Sequence, residues 1–441
     1  MNYSRLLAVG LIVSTAHVAR AQGGDSSQAL SLGDAARLAA KQSGSSVAAF
    51  YRAEAARGRA RESRSALLPQ VSAAYSDGQR TFNSASFGLS LPGFDPNGQI
   101  IGPVRTIDMR GRVVANLIDP ASFGRYRSAQ AAASGAAADA EVVTNQAASI
   151  ATSVYVRALR AEAQVSGRAA DSALATELLT IAQRQLQVGV GVALDVTRAR
   201  AQLASTHAQL ISARSERDRS RLDLSRAVGL SPGSPVILRD SLTTAVVPAT
   251  PSESAALAAA MHDRAELRAA VAATETARRA LRAARSERLP TLGVFGDDGR
   301  TSTTFTHLLN TYTYGFQVTL PIFEGFRTSA RVQQQEAALH EAEARQNDVE
   351  LQIVTDVRSA LLDLSASQEL LGAARERLTL GEQEVAQSRE RFRAGVAGNA
   401  DVISAQLNLD TARSQYIDAL ASLEMARVSL ARAQGHLLEL P

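Results

Sequence analysis

The sequence predicts a mainly α fold with a small β part: a duplicated pair of long coiled-coil helical hairpins, plus four amphipathic strands. Three observations carry this prediction. A stretch of roughly a hundred residues is written twice. Within each copy the apolar residues recur at alternating steps of three and four, and two short segments outside the copies switch to strict period-two alternation.

The repeat has an offset of 206 residues, which places Gly189 on Gly395, Val190 on Val396, Asp195 on Asp401 and Leu203 on Leu409. The register runs without a gap from Arg125 over Arg331 to Gly229 over Gly435. In the second copy Ile353, Val357, Ala360, Leu364, Ser367, Leu371, Ala374, Leu378, Gly381, Val385, Ser388 and Phe392 form one seam. Val402, Ala405, Leu409, Ala412, Tyr416, Ala419, Leu423, Ala426, Leu430, Ala433 and Leu437 form the returning one. A sustained 3.5-residue period winds helices around each other, and large residues alternating with small ones let the backbones approach closely. Each copy therefore reads as a long helix, a tight loop and a returning helix. An incoming arm of roughly 60 residues would span about 90 Å. Gly395 suits the left-handed conformation that ends a helix. Asp195, Asn399 and Asp401 stand where a side chain could cap the returning helices.

The strands lie ahead of each copy, after the Leu-Pro steps in "LLPQVSAAYS" (67–76) and "RLPTLGVFGD" (288–297). In residues 105–117, Ile107, Met109, Val113, Ala115 and Leu117 alternate with Asp108, Arg110, Arg112 and Asn116. In residues 311–320, Tyr312, Tyr314, Phe316, Val318 and Leu320 alternate with Thr311, Thr313, Gln317 and Thr319. One apolar and one polar face over about ten residues is the pattern of an outer-membrane barrel strand, with Tyr suited to the interfacial belt. An ordinary half-buried antiparallel sheet shows the same period. Residues 91–103 and 297–310 read as loops between the members of each pair. Eight strands are about the minimum for a membrane barrel, so four require several chains to share one.

Composition narrows the function classes. Aromatic residues are 4% of the chain and Trp is absent, which disfavours a bulky compact core. The net charge of +4 comes from 47 basic and 43 acidic residues, with Lys41 the sole lysine. The charges are dispersed along helix faces, which argues against a nucleic-acid footprint. There is no Cys, so disulfides, thiol catalysis and a lipid-anchoring thiol are excluded, and the six His never pair at ligand spacing, so neither a metal nor another cofactor is expected. A basic start, an apolar run over Leu6–Ala19 and a small-x-small site at Ala19-Arg20-Ala21 predict an export signal with a mature start near Gln22. No nucleophile–base pairing or phosphate-binding loop stands out.

These signals divide the chain into a signal peptide (1–21), an N-terminal helical segment (22–66), a first strand pair with its surface loop (67–118) and a first helical hairpin (119–230). An equatorial linker (231–251), a connecting helix (252–288), a second strand pair with its loop (289–322) and a second hairpin (323–437) complete it.

Taken together, the chain resembles the outer-membrane efflux proteins, the TolC-like outer-membrane factors of Gram-negative bacteria. The most specific elements are "LPIFEGFRTSARVQQQEA" (320–337), like the family's entry into a long helix, and "RFRAGVAGNADVISAQLNL" (391–409), like its tip segment. In the first copy "NLIDPASFGRYRSAQAA" (116–132) keeps the position without the wording. The resemblance implies a homotrimer in which each chain gives four strands to a shared twelve-stranded barrel in the outer membrane. The helices would form an α-barrel tunnel across the periplasm. It also implies a passive export channel, not an enzyme. Its partners would be a periplasmic adaptor (membrane fusion) protein and, through it, an inner-membrane pump of the RND or ABC type. A periplasmic adaptor and a soluble coiled-coil scaffold are the rival readings. An adaptor ordinarily has one hairpin inside β-rich modules, whereas this chain has two hairpins and amphipathic strands, and a scaffold accounts for the heptads but not for the strand pairs.

By the same resemblance, Gly189, Val190, Gly395 and Val396 are the adaptor-contacting tips, and Phe392, Asp401 and Ser404 mark the periplasmic aperture. Tyr and Arg residues that brace the closed gate in some members fall at Phe392 and Ala397 here. The expectation is therefore a closed state held less tightly, and a single acidic ring at Asp401 that is less cation-selective than two.

Overall fold

The computed structural model describes residues 28–87, 98–231, 236–242, 251–396 and 398–441. The signal peptide with its cleavage site, most of the expected linker and Ala397 lie outside the described residues.

The chain begins with β1 (Gln28–Leu30), α1 (Leu32–Gln42), α2 (Gly44–Ser65), β2 (Gln70–Asn83) and β3 (Ile100–Ile118). Two long helices follow, α3 (Pro120–Gln187) and α4 (Ala193–Ala227), then β4 (Val236–Leu238). The second half repeats the series as α5 (Glu253–Asp263), α6 (Ala265–Ser286), β5 (Thr291–Ser302), β6 (Leu309–Thr319), α7 (Arg327–Arg393) and α8 (Asn399–Gln434). The duplication thus reaches beyond the hairpins. The starts of α1, α2 and β2 precede those of α5, α6 and β5 by 221 residues, and the shorter β5–β6 connection reduces the offset to 206 in the hairpins. Ser31 and Ser252, at equivalent positions, cap α1 and α5 with side-chain bonds to Asp34 N and Ala255 N. Ala35 and Ala39 match Ala256 and Ala260, all fully buried.

Four helical rods run side by side. In one half of the molecule the order is α2, α3, α6, α7, which mirrors the strand order β2, β3, β5, β6. In the other half α4 packs on α3, α8 on both α3 and α7. The short helices join end to end at two glycines one repeat apart. Gly229 (φ 81°) ends α4 against the main chain of Gln42, and Gly435 (φ 88°) ends α8 against that of Asp263. A Cβ there would lie 2.6 Å from Gln42 O or 2.9 Å from Asp263 O, so only glycine lets α4 continue into α2 and α8 into α6.

The predicted seams are the buried ones. Ile353, Val357, Ala360, Leu364, Leu371, Val385 and Phe392 of α7 meet Val402, Ala405, Leu409, Leu423, Ala426 and Leu430 of α8. Each fully buried Leu or Val contributes roughly 1.5–3 kcal/mol, so the seam dominates hairpin stability. α3 alone spans about 100 Å at 1.5 Å per residue.

A small layer crosses the rods at their middle: α1 packs on α3, α5 on α7 and α8, and β1 pairs in parallel with β4. Tyr155 of α3 is fully buried and donates from its hydroxyl to Leu30 O (2.8 Å) and Asp240 Oδ2 (2.9 Å), pinning this layer to the rod.

Three expectations need correction. The 22–66 and 252–288 segments are each two helices, broken at Ser43 and Arg264, whose extended ψ values (143° and 125°) turn the chain from the middle layer into the rods. The 231–251 linker contains β4, which is too short to show a period. The strands are longer than the alternation suggested: residues 100–103 belong to β3, 297–302 to β5 and 309–310 to β6. Gly, Asp and Thr pair there through the backbone ladder, which composition does not reveal.

Candidate functional site

The four strands form one antiparallel sheet, and its register sorts the side chains cleanly. Val71 opposes Val113, Tyr75 opposes Met109, Val294 opposes Phe316 and Leu292 opposes Val318, all on one face. Tyr312, Tyr314 and Phe316 on that face are 73%, 79% and 75% exposed, so the sheet presents an uncovered apolar wall. On β3 the exposed apolar run from Leu117 to Met109 covers about 26 Å of strand, which a tilt of roughly 40° projects to about 20 Å, and Ile107 beyond it is fully buried. Polar pairs end it: Arg105 binds Asp77 (2.9 Å), and Asp298 and Arg300 close the run on β5. The opposite face is polar. There Arg110 reaches Asp108 (2.9 and 2.7 Å) and Asp297 (2.7 Å), between Ser72, Ser76, Thr311 and Gln317. Both outer strands, β2 and β6, have one unpaired edge among the described residues. Long edges of this kind are templates for pairing with another chain.

At the far end of the rods are the two reversals. Gly189 (φ 82°) and Gly395 (φ 71°) adopt the left-handed conformation, and a Cβ at either would meet open space. Val190 and Val396 beside them are exposed. The capping expectation fails. The N-cap positions are Val192 and Gly398, neither return helix has a side-chain cap, and in the first turns Asp195 is half-buried and Asp401 exposed. Their carboxylates still face the positive helix end, where a negative charge is favoured.

Asn399 is buried instead, and its side-chain amide donates to Asp195 O at 2.8 Å, joining the second reversal to the first. Phe392, expected at the aperture, is buried as well. It is 3% exposed and packs among Leu178, Ala182, Val196, Ala199 and Val402, where the four helix ends meet. Its main-chain oxygen accepts from Gln185 Nε2 at 2.8 Å. Glu177 of α3 takes ion pairs from Arg389 (3.2 Å) and Arg393 of α7. Gln185, Asn399 and Glu177 thus join the two hairpin tips of one chain. Ser404 is exposed, as is Asp401.

Between the tips and the middle layer lies a buried acid pair that periodicity did not flag. Asp171 of α3 is bound by Arg413 and stands 3.5 Å from Arg168. Gln406, fully buried, donates to Asp171 O at 3.2 Å. Asp410 of α8 faces this group, and its carboxyl is pushed up to about 7 by burial and by the Asp171 charge, against the pull of Arg168 and Arg413. Among the described residues no His, Cys, Asp and Glu cluster forms a metal site.

Residues 256–436 match the family model described as outer membrane efflux protein. The alkaline protease secretion protein AprF of Pseudomonas aeruginosa is 25% identical over 365 residues, covering 80% of this chain and 73% of that protein. The outer membrane efflux protein BepC of Brucella suis is 26% identical over 59% of this chain and 57% of its own length. Protein CyaE of Bordetella pertussis is 25% identical, and the chain spans 60% of it. Among solved structures, the Campylobacter jejuni CmeC outer membrane channel superimposes with a TM-score of 0.78 at 18% identity, covering 92% of this chain and 86% of that one. The Vibrio cholerae outer membrane protein VceC does so at 0.75 and 18% identity, covering 92% and 96%.

Proposed function

Residues 256–436 belong to the outer membrane efflux protein family and the whole chain has the fold of its channels, and from that premise we propose that three copies assemble into a passive export conduit. The protein resides in the outer membrane with its helical part in the periplasm. What supports trimeric assembly most is the sheet: one apolar face without cover, one polar face, and two unpaired edges. Joining β6 of each copy to β2 of the next gives twelve strands, apolar outside and polar within. The same step sets twelve helical rods below them as a tunnel wall. Four strands alone could enclose nothing.

The conduit contains no catalytic step and no means of harnessing energy, so a pump in the inner membrane supplies the drive through a periplasmic adaptor. Among its relatives AprF is a protease secretion protein and BepC an efflux protein, and outward transport is what these names share. The exposed Gly189-Val190 and Gly395-Val396 turns are the adaptor contacts, because they end the rods and carry the outermost apolar side chains. Asp401 and Ser404 face the narrowing between the tips. The bonds Gln185 to Phe392, Asn399 to Asp195 and Glu177 to Arg389 hold the hairpins of one chain together, and opening requires those hairpins to part.

Planar bilayer recording on protein extracted from outer membranes tests this reading. Discrete conductance steps support it, and a soluble species that never inserts would sink it. Asp401→Ala recorded alongside should reduce cation preference. Unchanged selectivity removes Asp401 from the aperture.

A further inference from the structure

The helical rods carry a concentration of arginine just below the strands. On α2 the sequence "RGRARESRS" ends the helix, and on α6 "RRALRAARS" does the same. Arg57, Arg61 and Arg64 line the groove between α2 and α3. Arg127, Arg279 and Arg282 line the groove between α3 and α6. Gln130 borders both grooves, so the six guanidinium groups share one continuous face. A third groove, reached through Ser134 and Arg279, includes Met261 of α5. The arginine face is therefore the side that carries the middle layer, which is the outside of a tube whose bore must stay open.

Position along the rods is equally telling. At 1.5 Å per residue all six lie within about 12 Å of the helix ends that lead into the strands, near where the headgroup zone meets water. Phe123, in the same groove and 46% exposed, stacks under the Arg127 guanidinium at 4.6 Å, an arrangement suited to an interface that is apolar on one side and wet on the other. Arg57 is paired with Glu54 and Arg279 with Glu275. Arg282 also lies in the field of Glu275, while among the described residues no carboxylate pairs with Arg61, Arg64 or Arg127.

We propose that this face is a collar for the phosphate headgroups of anionic phospholipids in the periplasmic leaflet of the outer membrane. The inference rests on the lipid-facing reading of the strands and deepens it. Three guanidinium groups without a carboxylate partner, and Arg282, which shares Glu275 with its neighbours, stand beneath an apolar wall and present the charge and the fork geometry that a phosphodiester accepts. Repeated in three copies, the collar fixes the height of the tunnel in the membrane.

The test compares purified protein in nanodiscs of phosphatidylcholine with nanodiscs containing about 30 mol % phosphatidylglycerol, using the wild type and the combined variant Arg61→Gln, Arg64→Gln, Arg127→Gln, Arg282→Gln. The wild type should melt about 3 °C or more higher in the anionic discs, and about 0.5 M salt should remove most of that gain. The variant should insert and conduct in both lipids and show no anionic gain. Inorganic phosphate added to the neutral discs should not reproduce the shift. Equal gain in the variant, no gain in an inserted wild type, or a full effect from free phosphate would each overturn the collar. A protein that enters neither disc would overturn the membrane reading itself and the collar with it.

Discussion

The side-chain amide of Asn399 lies 2.8 Å from the main-chain oxygen of Asp195, tying the first turn of α8 to the first turn of α4. This bond crosses between the two repeats at their tips, and Asn399 is 1% exposed. Asn399→Ala removes this second donor from a carbonyl that α4 also bonds, which should cost about 0.5–1.5 kcal/mol. Thermal melting should register the loss, and channel recordings should show higher resting conductance. Ser404→Ala, at an exposed neighbour, should shift stability by less than about 0.5 kcal/mol.

The Glu177 pairs with Arg389 and Arg393 also join the hairpins, but they are partly solvated. A double-mutant cycle of Glu177→Gln with Arg393→Gln should give a coupling of about 0.2–1 kcal/mol that fades in high salt. A larger, salt-independent coupling would mean that the pair is shielded by neighbouring copies.

Asp410 should make stability fall as pH rises. Its carboxyl is pushed from 3.8 up to about 7 in the folded protein, first by burial and then by Asp171. The folded protein thus keeps a proton that the unfolded chain has released, and the penalty builds between those two values. The groups facing it are Asp171, Arg168 and Arg413, with Gln406 alongside. Asp410→Asn should match the wild type below about pH 4 and exceed it in stability at about pH 8. Denaturation midpoints across that range decide the matter, and parallel curves for the two proteins would refute it.

The stacking glycines give a paired contrast. Gly435→Ala puts a Cβ onto the main chain of Asp263 at a positive φ, and should destabilise by more than about 1 kcal/mol. Gly372→Ala sits in the interior of α7 with nothing within 4 Å, and should stabilise by up to about 1 kcal/mol. Melting temperatures that move in the same direction would contradict the stacked joints.

The heptad seams were legible because each buried position, from Ile353 to Phe392, is set by local periodicity. The sheet faces were legible for the same reason, since Tyr312 to Leu320 alternate without interruption. The front half of the duplication was harder to see. Ser31 and Ser252, Ala35 and Ala256, and Pro69 and Pro290 are its traces, but the differing strand loops break the register between them and the hairpins. Contacts that depend on bringing separate repeats together left no local signal. Gln185 with Phe392, Asn399 with Asp195, and Asp171 with Asp410 are each more than 200 positions apart in sequence. The reversal caps were misassigned because Asn399, a good capping residue by type, is drawn into that cross-repeat bond instead.

The claim that the sheet is completed only between chains is tested most directly by native mass spectrometry of protein released from outer membranes in mild detergent. The account predicts a trimer that survives transfer from the membrane and aggregates when detergent is withdrawn. A folded monomer, stable in detergent-free buffer, would contradict it.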